Sequence, residues 1–397
     1  MERVYILNGV RSYIGVENGI YRHICAEKLG AFVLKKAIEP YSIEELDFVI
    51  AGNAAGAGGN ITRLMLLEAG FPSFIPAITI DVQCASGLES IAMAAAKIRS
   101  GQADFVIAGG FESSSTAPRR KYHKNHPDYQ YYGGEQSDYQ VAKFIPGEHS
   151  KMAMLAGAEK TAVSLGIDRK ALDFWVLRSH DLAKKAREEE ILKDNLVEIE
   201  NEQYSNYNRD KKAFCQKDEG IRDKINIRLL EKLPCVLKDG KVITAANACL
   251  TNDGAAFVVL CSKRYLENHS YIPKAEFLDS VLVGVDPFMS PKAIIPAIEK
   301  LLKRNQITAE DIDIFECNEA FAVIDVLFAK KYPKAVQKYN ILGGALAYGH
   351  PYGASGAVIT IHAIKALEKV NGTLAVCSIA AAGGIGAALL LQRGIEK

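Results

Sequence analysis

The sequence contains one pattern of strands and helices twice, once towards each end. The segment DFVIAGN at 47–53 resembles DIDIFECN at 311–318, and each predicts a strand that ends on an asparagine. Roughly thirty residues further on, CASGLESIAMAAAKI at 84–98 and HPYGASGAVITIHAIKAL at 350–367 each predict a turn of small residues that enters a helix. Strands that alternate with helices are typical of mostly parallel sheets. The chain is therefore expected to be an α/β protein made of two related halves.

A segment of a different kind separates the two copies. We place the first half at residues 1–118 and the second at 251–397, so that 119–250 forms an insertion. The start of the insertion, at 119–150, is polar, rich in tyrosine and without clear periodicity, and 151–200 is predicted to be helical. An insertion of this length on one face of an α/β protein is expected to form a loop domain that covers or binds the substrate.

Three chemically useful side chains fall near predicted strand ends in the two halves. Cys84 follows a strand and opens a helix, Asn318 ends a strand, and His350 lies in the glycine-rich stretch GGALAYGHPYGASGA. In open α/β sheets, ligands bind at the carboxyl ends of the strands. With the two halves facing each other, these three side chains are expected to meet at one site.

Cys84 is a candidate nucleophile because of its place at a predicted helix start. A thiol there is close to the positive end of the helix dipole, which favours the thiolate and predicts a lowered pKa. His350 would be the base that removes the thiol proton, and Asn318 would hold a carbonyl oxygen or orient a water. Each residue also has a simpler interpretation: a small buried thiol, a histidine that caps a tight turn, and a turn residue at a strand end.

Composition and charge argue against several classes of function. The 397 residues carry a formal net charge of +1, which gives no reason to expect nucleic acid or an acidic membrane surface as the main partner. No apolar run is long enough to span a bilayer, and the N-terminal MERVYILNG has no signal pattern. The eight cysteines are scattered without metal-ligand spacing, and His123 and His126 lie in a polar loop without further ligands, so no metal site is predicted. Scattered free cysteines are typical of the reducing cytoplasm, where we expect the protein to act.

The motifs of this sequence resemble those of the thiolase family, in order and over essentially the whole chain. CASGLES, NEAFA, GHPYGASGA and AAGGIGAA are similar to that family's signature blocks, and VITAANACLTNDGAA at 242–256 and GVDPFM at 284–289 to two further blocks. Several blocks in the correct order are far more specific than any single motif. The resemblance implies the thiolase fold: two duplicated halves, each with a mixed five-stranded sheet, in a layered α/β/α/β/α arrangement beside an inserted loop domain.

The resemblance also implies a reaction and a role for each candidate residue. A thiolase transfers an acyl group to or from coenzyme A, by Claisen condensation with acetyl-CoA or by thiolysis of a 3-oxoacyl-CoA. Cys84 matches the cysteine that accepts the acyl group, and His350 matches the base that activates it. Asn318 matches the residue that holds a water, which forms one oxyanion hole together with the histidine. The backbone N–H groups of Cys84 and Ala382 match the other oxyanion hole, and aimed donors of this kind each contribute about 2.7–4 kcal/mol to lowering a barrier.

Further positions match the family's contacts to the acyl-CoA substrate. These are Met154, Arg222, Ala245, Cys249, Met289 and Phe321. The resemblance implies no tightly bound cofactor, because coenzyme A takes part as a substrate, in its thioester or free form. It also implies a role in lipid metabolism and a homodimer, with a tetramer as the alternative.

One catalytic position of the family is altered in this chain. The family's second catalytic cysteine removes the α-proton in condensation and protonates departing coenzyme A. In the register set by GGIG at 383–386, Ala380 occupies that position. Cys377 lies three residues upstream and would point to the opposite face of a strand, whereas Ser378 would share the face of Ala380. Ala382 replaces the glycine expected to donate the second oxyanion N–H, and alanine allows fewer backbone conformations.

Other departures surround the predicted substrate site. Cys249 stands where a serine is usual, Leu250 replaces a glycine, and Ala153 replaces a common histidine, whereas Met154 fits an acyl-pocket methionine. GVDPFMSPK lacks the glycines that usually follow the methionine. These changes leave the substrate, and the reaction itself, less defined than the motifs around Cys84 and His350.

Three interpretations follow from these matches and departures. The first is a working acyltransferase in which Cys84 is acylated, condensation or thiolysis is impaired, and His350, Cys377 or a group of the substrate replaces the missing acid and base. The second is a degenerate thiolase that binds acyl-CoA or a partner protein. The third is a ketosynthase-like condensing enzyme, since those share the fold and use one cysteine. The retained Cys84, Asn318 and His350 favour the first.

Overall fold

The framework of the molecule is a sheet to which both halves of the chain contribute. The computed structural model describes residues 2–131, 133, 134, 139, 143–148, 150–199 and 215–394. Its strands are β1 Val4–Ser12, β2 Gly15–Val16, β3 Phe48–Gly52, β4 Ala77–Ile80, β5 Phe105–Ser113, β6 Leu196–Val197, β7 Asn252–Ser262, β8 Ala275–Gly284, β9 Ile314–Cys317, β10 Leu374–Ala381 and β11 Ile385–Gln392. Its α-helices are α1 Ala26–Ile38, α2 Ile61–Glu68, α3 Ser86–Arg99, α4 Ala153–Ser164, α5 Arg169–Glu188, α6 Ile227–Leu230, α7 Lys263–Asn268, α8 Ile294–Arg304, α9 Ala322–Lys331, α10 Ala345–Tyr348 and α11 Ser355–Val370. No helix in these described ranges is long and apolar enough to cross a membrane.

The two halves share one strand order, which is the structural counterpart of the sequence repeat. The order is β4-β3-β5-β7-β1 in the first half, and β9-β10-β11-β8 follows the same path in the second. An isolated parallel bridge between Phe315 and Tyr339 takes the place next to β9 that β4 holds next to β3. Pairing of Val4 with Phe277 and of Ile6 with Ala275 joins β1 to β8. The predicted duplication is present, and these hydrogen bonds connect the two sheets into one.

Neighbouring strands run in both directions. β3 is parallel to β4 and β5, and β9 is parallel to β10. β7 is antiparallel to β5 and β1, and β11 is antiparallel to β10 and β8. The sheet is therefore mixed, as the family resemblance implies. The alternation of strands and helices alone predicted a mostly parallel sheet and missed the strands that return along their neighbours.

Strand β7 shows how the chain returns to the first half after the insertion. It lies between β5 and β1 and is buried along its whole length. The division into residues 1–118, 119–250 and 251–397 stays a prediction, and strand pairing groups residues 252–262 with the first half. A boundary drawn from the repeat alone cannot place such a strand, because its partners are distant in sequence.

Helices α3 and α11 form the middle layer of the molecule. They pack against each other, with α3 on β3 and β5 and α11 on β9 and β10. Alternate residues of β5 face different cores: Val106 and Ala108 pack with the middle helices, and Phe105 and Ile107 pack on the outer side with α1. Helix α8 covers β8 and β11 of the second half in the same way. The layers therefore alternate as α/β/α/β/α.

Glycines allow the two halves to touch through their backbones. A Cβ atom on Gly353 would lie 2.6 Å from the carbonyl oxygen of Gly52, and one on Gly87 would lie 2.6 Å from that of Gly353. A Cβ atom on Gly110 would overlap the carbonyl group of Gly353 outright. Because the obstructing atoms belong to the backbone, they cannot move aside as a flexible side chain does. This contact explains why turns of small residues occur in both halves.

We expect a Gly110→Ala variant to lose about 1–3 kcal/mol of unfolding free energy, because the added methyl group overlaps packed backbone. Gly284→Ala is a matched control in another strand, since nothing lies within 4 Å of a Cβ atom built there. Urea unfolding followed by circular dichroism measures both variants. Equal losses of stability in the two variants would show that the close approach at Gly110 does not govern stability.

Candidate active site

A cavity of about 480 Å³ lies where the two halves meet the insertion. The sequence-predicted site residues that line it are Cys84, Met154, Cys249, Phe321, His350 and Ala382. The described part of the insertion supplies a further wall, which includes Arg119, Tyr139, Lys143, Phe144, Ile145, Glu148, Lys151 and Leu155. Cys84, His350 and Ala382, which are far apart in the chain, thus border one space, whereas Asn318 is not among the lining residues and contacts the ring of His350.

A tight turn between β4 and α3 presents Cys84 to the cavity. Gln83 has a φ of 52°, in the left-handed region that residues other than glycine rarely adopt. The Ser86 hydroxyl accepts a hydrogen bond from the Val82 N–H at 2.8 Å and donates one to the Gln83 carbonyl at 2.6 Å. The first residue of α3 therefore holds the turn in its uncommon conformation, and the position of Cys84 depends on it.

Burial determines the charge of the Cys84 thiol. It raises the pKa of Cys84 to about 12, although the nearby backbone N–H groups of Ala382 and of Cys84 itself favour the thiolate. The expectation of a lowered pKa was wrong, because α3 begins only at Ser86 and desolvation is the larger effect. Cys84 therefore rests as a neutral thiol and requires a base.

The His350 ring contacts the hydroxyl group of Ser355. Its Nδ1 lies 2.6 Å from the Ser355 hydroxyl oxygen, and that hydroxyl donates its own hydrogen to the Pro351 carbonyl at 3.1 Å. With the hydroxyl donating to Pro351, Ser355 accepts from Nδ1–H, and this tautomer leaves Nε2 free to accept a proton. Burial lowers the pKa of His350 to about 3, so the ring is uncharged at neutral pH. Sequence alone assigned Ser355 no role, although it belongs to GHPYGASGA.

Asn318 and Asn53 hold the same place in the two halves but have different partners. Asn53 donates from Nδ2 to the Phe111 carbonyl at 2.8 Å and accepts from the Gly56 N–H at 3.0 Å, so its side chain stabilises its own turn. Asn318 is buried, and its Nδ2 lies 3.5 Å from each ring nitrogen of His350. At this distance the amide is only a weak partner of the ring, and it retains capacity to donate to another group.

Glu112 connects the first half to the loop that carries His350. Its buried carboxylate accepts hydrogen bonds from the N–H groups of Ala54, Ala55 and Gly353 at 2.9, 3.1 and 3.0 Å. Burial raises the pKa of Glu112 to about 7, against the opposing effect of these N–H donors. Sequence reasoning missed this residue, and the available signal was a lone glutamate close to the end of a buried strand.

The position matched to the family's second cysteine lies on the face of β10 opposite to Cys377. Ala380 packs in the outer core of the second half, whereas Cys377 packs in the middle layer, where its thiol donates to the Ile359 carbonyl at 3.7 Å. The prediction that Cys377 points away is confirmed, and Cys377 is not among the residues that line the cavity. Ser378 donates its hydroxyl to the Ala387 carbonyl at 2.9 Å, within the sheet.

The remaining predicted substrate contacts lie outside the lining of the cavity. Arg222 and Ala245 are exposed, and Met289 is half-buried. The backbone N–H of Arg222 donates to Nδ1 of His180 at 3.1 Å. A role for these three residues in binding coenzyme A stays a prediction.

The histidines of the polar loop have local partners. Nδ1 of His123 accepts the N–H of Asn125 at 3.2 Å, and Nδ1 of His126 accepts that of Asp128 at 3.1 Å. Both contacts stabilise turns. Within the described ranges, no group of three or more His, Cys, Asp or Glu side chains is arranged to hold a metal ion.

The amino-acid sequence matches two domain families, one after the other along the chain. Residues 4–264 match "Thiolase, N-terminal domain" and residues 271–393 match "Thiolase, C-terminal domain". A similar curated protein is "Putative acetyl-CoA C-acetyltransferase VraB" of Staphylococcus aureus, 35% identical over 397 residues, which cover 99% of this chain and 100% of that protein. The similarity therefore extends through both halves and the insertion.

Solved structures share the fold over the whole chain. The acetyl-CoA acetyltransferase of Bacillus anthracis matches with a TM-score of 0.89 and 32% identity, covering 99% of both chains. Human mitochondrial 3-ketoacyl-CoA thiolase in complex with CoA matches with a TM-score of 0.88 and 29% identity, covering 99% of this chain and 98% of that one. The predicted fold is confirmed, and the chain belongs to the thiolase family.

Proposed function

We propose that this protein takes acyl groups from coenzyme A thioesters onto Cys84 and passes them to or from coenzyme A. One observation carries the proposal: the backbone N–H groups of Ala382 and Cys84 lie near the Cys84 sulfur, in a cavity that His350 also lines. The oxygen of a tetrahedral carbon attached to this sulfur would lie within reach of the same two N–H groups. The same groups that polarise the thiol would therefore stabilise an oxyanion.

Acylation would start from a neutral thiol and a neutral imidazole. His350 accepts the thiol proton at Nε2 while Ser355 keeps the proton on Nδ1. The Cys84 sulfur bonds to the thioester carbonyl carbon, and the C=O electron pair moves onto the oxygen. This oxyanion then accepts hydrogen bonds from the two N–H groups. The oxyanion then collapses, the bond to the sulfur of coenzyme A breaks, and the departing thiolate takes up a proton.

The carbon–carbon step would be slower than in a complete thiolase. Condensation requires removal of the α-proton of the second acyl-CoA, and Ala380 has no group that can carry it. Asn318, with Nδ2 3.5 Å from the His350 ring nitrogens, supports an oxyanion hole for the resulting enolate through a water. We therefore propose that acylation of Cys84 is retained and that condensation and thiolysis are impaired.

Acetyl-CoA is the proposed first substrate, because the similar proteins include acetyl-CoA acetyltransferases. The human thiolase was solved with CoA, which supports CoA thioesters as substrates here, without a tightly bound cofactor. Apolar side chains of Met154, Phe144 and Phe321 line the cavity and would contact an acyl chain. The cytoplasmic location and the role in lipid metabolism stay predictions.

A homodimer is the proposed assembly, with a tetramer as the alternative. Strand β4 forms an edge of the sheet, and α2 packs against it. On α2 and the loop that follows, Leu64 is 50% exposed, Leu67 46% and Phe74 66%. Among the described residues no further strand pairs with this edge, and such an edge beside exposed apolar side chains is the kind of surface that a second copy covers.

The proposal predicts that the protein gains one acetyl group when it is incubated with acetyl-CoA. Intact-mass spectrometry detects the adduct, and peptide mapping is expected to place it on Cys84. A series of longer acyl-CoAs then reports the chain length that the cavity accepts. Cys84→Ala is expected to abolish the adduct and Cys235→Ala to retain it. If every acyl-CoA leaves the mass unchanged, the acyltransferase proposal is wrong.

A further inference from the structure

Cys249 shares the cavity with Cys84. Among the described residues that line it, these two are the only thiols. The N–H of Cys249 donates to the Ala320 carbonyl at 2.9 Å, and Ala248 is bridged to Phe321. The thiol is therefore attached, through its own backbone, to the loop that follows Asn318.

The same short segment is also attached to the loop of the base. Two residues after Cys249, Thr251 forms a parallel bridge with His350, and the Asn252 side chain accepts the His350 N–H at 2.8 Å. The segment thus runs between the Asn318 loop and the His350 loop and is hydrogen-bonded to both. This fixes the Cys249 backbone on the cavity wall between two parts of the proposed machinery.

The two thiols influence each other's ionisation. Burial raises the pKa of Cys249, and the charge of Cys84 raises it further. Tyr352, which also lines the cavity, has a pKa raised by burial and by both thiols. Groups coupled in this way do not ionise together, so one thiolate at a time is favoured. Such coupling is expected between a nucleophilic thiol and a second thiol that exchanges protons in the same reaction.

The proposed reaction needs a second proton carrier, and a thiol could serve as that carrier. His350 already exchanges a proton with Cys84, and Ala380 can carry none. Coenzyme A and Cys249 both carry an alkyl thiol, and burial in the same cavity would raise the pKa of both, so the two groups stay matched for proton transfer. Tyr352, whose pKa is also raised by burial, is the other proton carrier on the cavity wall, and it differs from Cys249 in being a phenol rather than a thiol.

We propose that Cys249 is the second acid and base of this enzyme and takes over the role absent at Ala380; this inference rests on the proposed function. During acylation, the Cys249 S–H gives its proton to the departing CoA thiolate and becomes a thiolate. In condensation, that thiolate takes the α-proton of the second acyl-CoA, and the enolate carbon bonds to the acyl carbon on Cys84. The bond from that carbon to the Cys84 sulfur breaks, and His350 returns its proton to Cys84. Protons and electrons balance over the cycle.

The test separates proton transfer from nucleophilic attack. Wild type and Cys249→Ser are each given acetyl-CoA and an aryl thioester, whose thiolate leaves without needing a proton. We expect Cys249→Ser to slow acetoacetyl-CoA synthesis and its thiolysis by at least about a hundredfold, within the range of general acid–base catalysis. We expect the rate of single-turnover acylation of Cys249→Ser by the aryl thioester to stay within about twofold of wild type. Cys235→Ser, which changes a thiol in a nearby part of the chain, is the control and is expected to match wild type in both reactions.

A second variant guards against simple damage to the site. The double variant Cys249→Ser with Ala380→Cys is expected to condense at least about tenfold faster than Cys249→Ser alone, because a thiol is returned to the family's usual position. The proposal is overturned if Cys249→Ser condenses at the wild-type rate, if aryl-thioester acylation falls equally, or if only Tyr352→Phe shows the defect. Wild-type protein that forms no adduct would overturn the proposed function itself, and with it the role of Cys249.

Discussion

A Cys84→Ser variant is expected to lose acyl transfer from acetyl-CoA by at least about a thousandfold, as enzymes do when their nucleophile is removed. The substitution changes little in size, so the turn held by Gln83 and Ser86 should remain. What changes is the reacting atom, because a hydroxyl is a far weaker nucleophile than a thiol. A hydroxyl also holds its proton more tightly than a thiol does. His350, whose pKa burial lowers to about 3, is too weak a base to offset that difference. Steady-state kcat/KM with acetyl-CoA, together with intact mass, measures the effect.

Cys25→Ser is the control for the same chemical change at a distant place. Cys25 is the N-cap of α1 and makes no capping hydrogen bond through its side chain. Serine is a preferred N-cap residue, so this variant should keep full activity and gain up to about 1 kcal/mol of stability. Equal activity in Cys84→Ser and Cys25→Ser would remove Cys84 from the mechanism.

Local patterns in the sequence were sufficient to single out Cys84 and His350, the candidate nucleophile and base, which line one cavity. Cys84 and His350 lie in turns of small residues, and the structure explains those turns by the backbone contact between Gly87 and Gly353. The requirement for small residues is visible in sequence because no larger residue fits. For the same reason, the repeat predicted that the two turns face each other.

Properties that depend on distant partners were not predictable in the same way. The pKa of Cys84 is raised by burial, which involves residues from both halves, whereas the helix-terminus argument used only its neighbours. Glu112 is unremarkable in sequence because its partner Gly353 is 241 residues away. The contribution of Cys249 to the cavity likewise depends on bridges from its segment to residues 321 and 350.

His350→Ala is expected to slow acylation of Cys84 by about a hundred- to ten-thousandfold, the usual contribution of a general base. Because the pKa of Cys84 is about 12, few of the thiols ionise unaided at neutral pH, and the reaction depends on proton removal during attack. Rapid-quench measurement of single-turnover acylation isolates this step from condensation. His23→Ala, at an exposed histidine, is the control and should match wild type.

The pH dependence of acylation provides the sharper test of how His350 acts. A histidine with an ordinary pKa near 6.5 becomes protonated as the pH falls from 8 to 5, and the rate would fall with it. Here burial lowers the pKa of His350 to about 3, so the ring stays neutral over that range and its protonation should cause no loss of rate. Glu112, with a pKa of about 7, contacts the same loop, so the profile is also recorded in Glu112→Gln. The contrary result is an inflection near pH 6.5 that persists in Glu112→Gln and is absent from the residual activity of His350→Ala. It would show that His350 titrates normally and that burial does not keep its ring neutral.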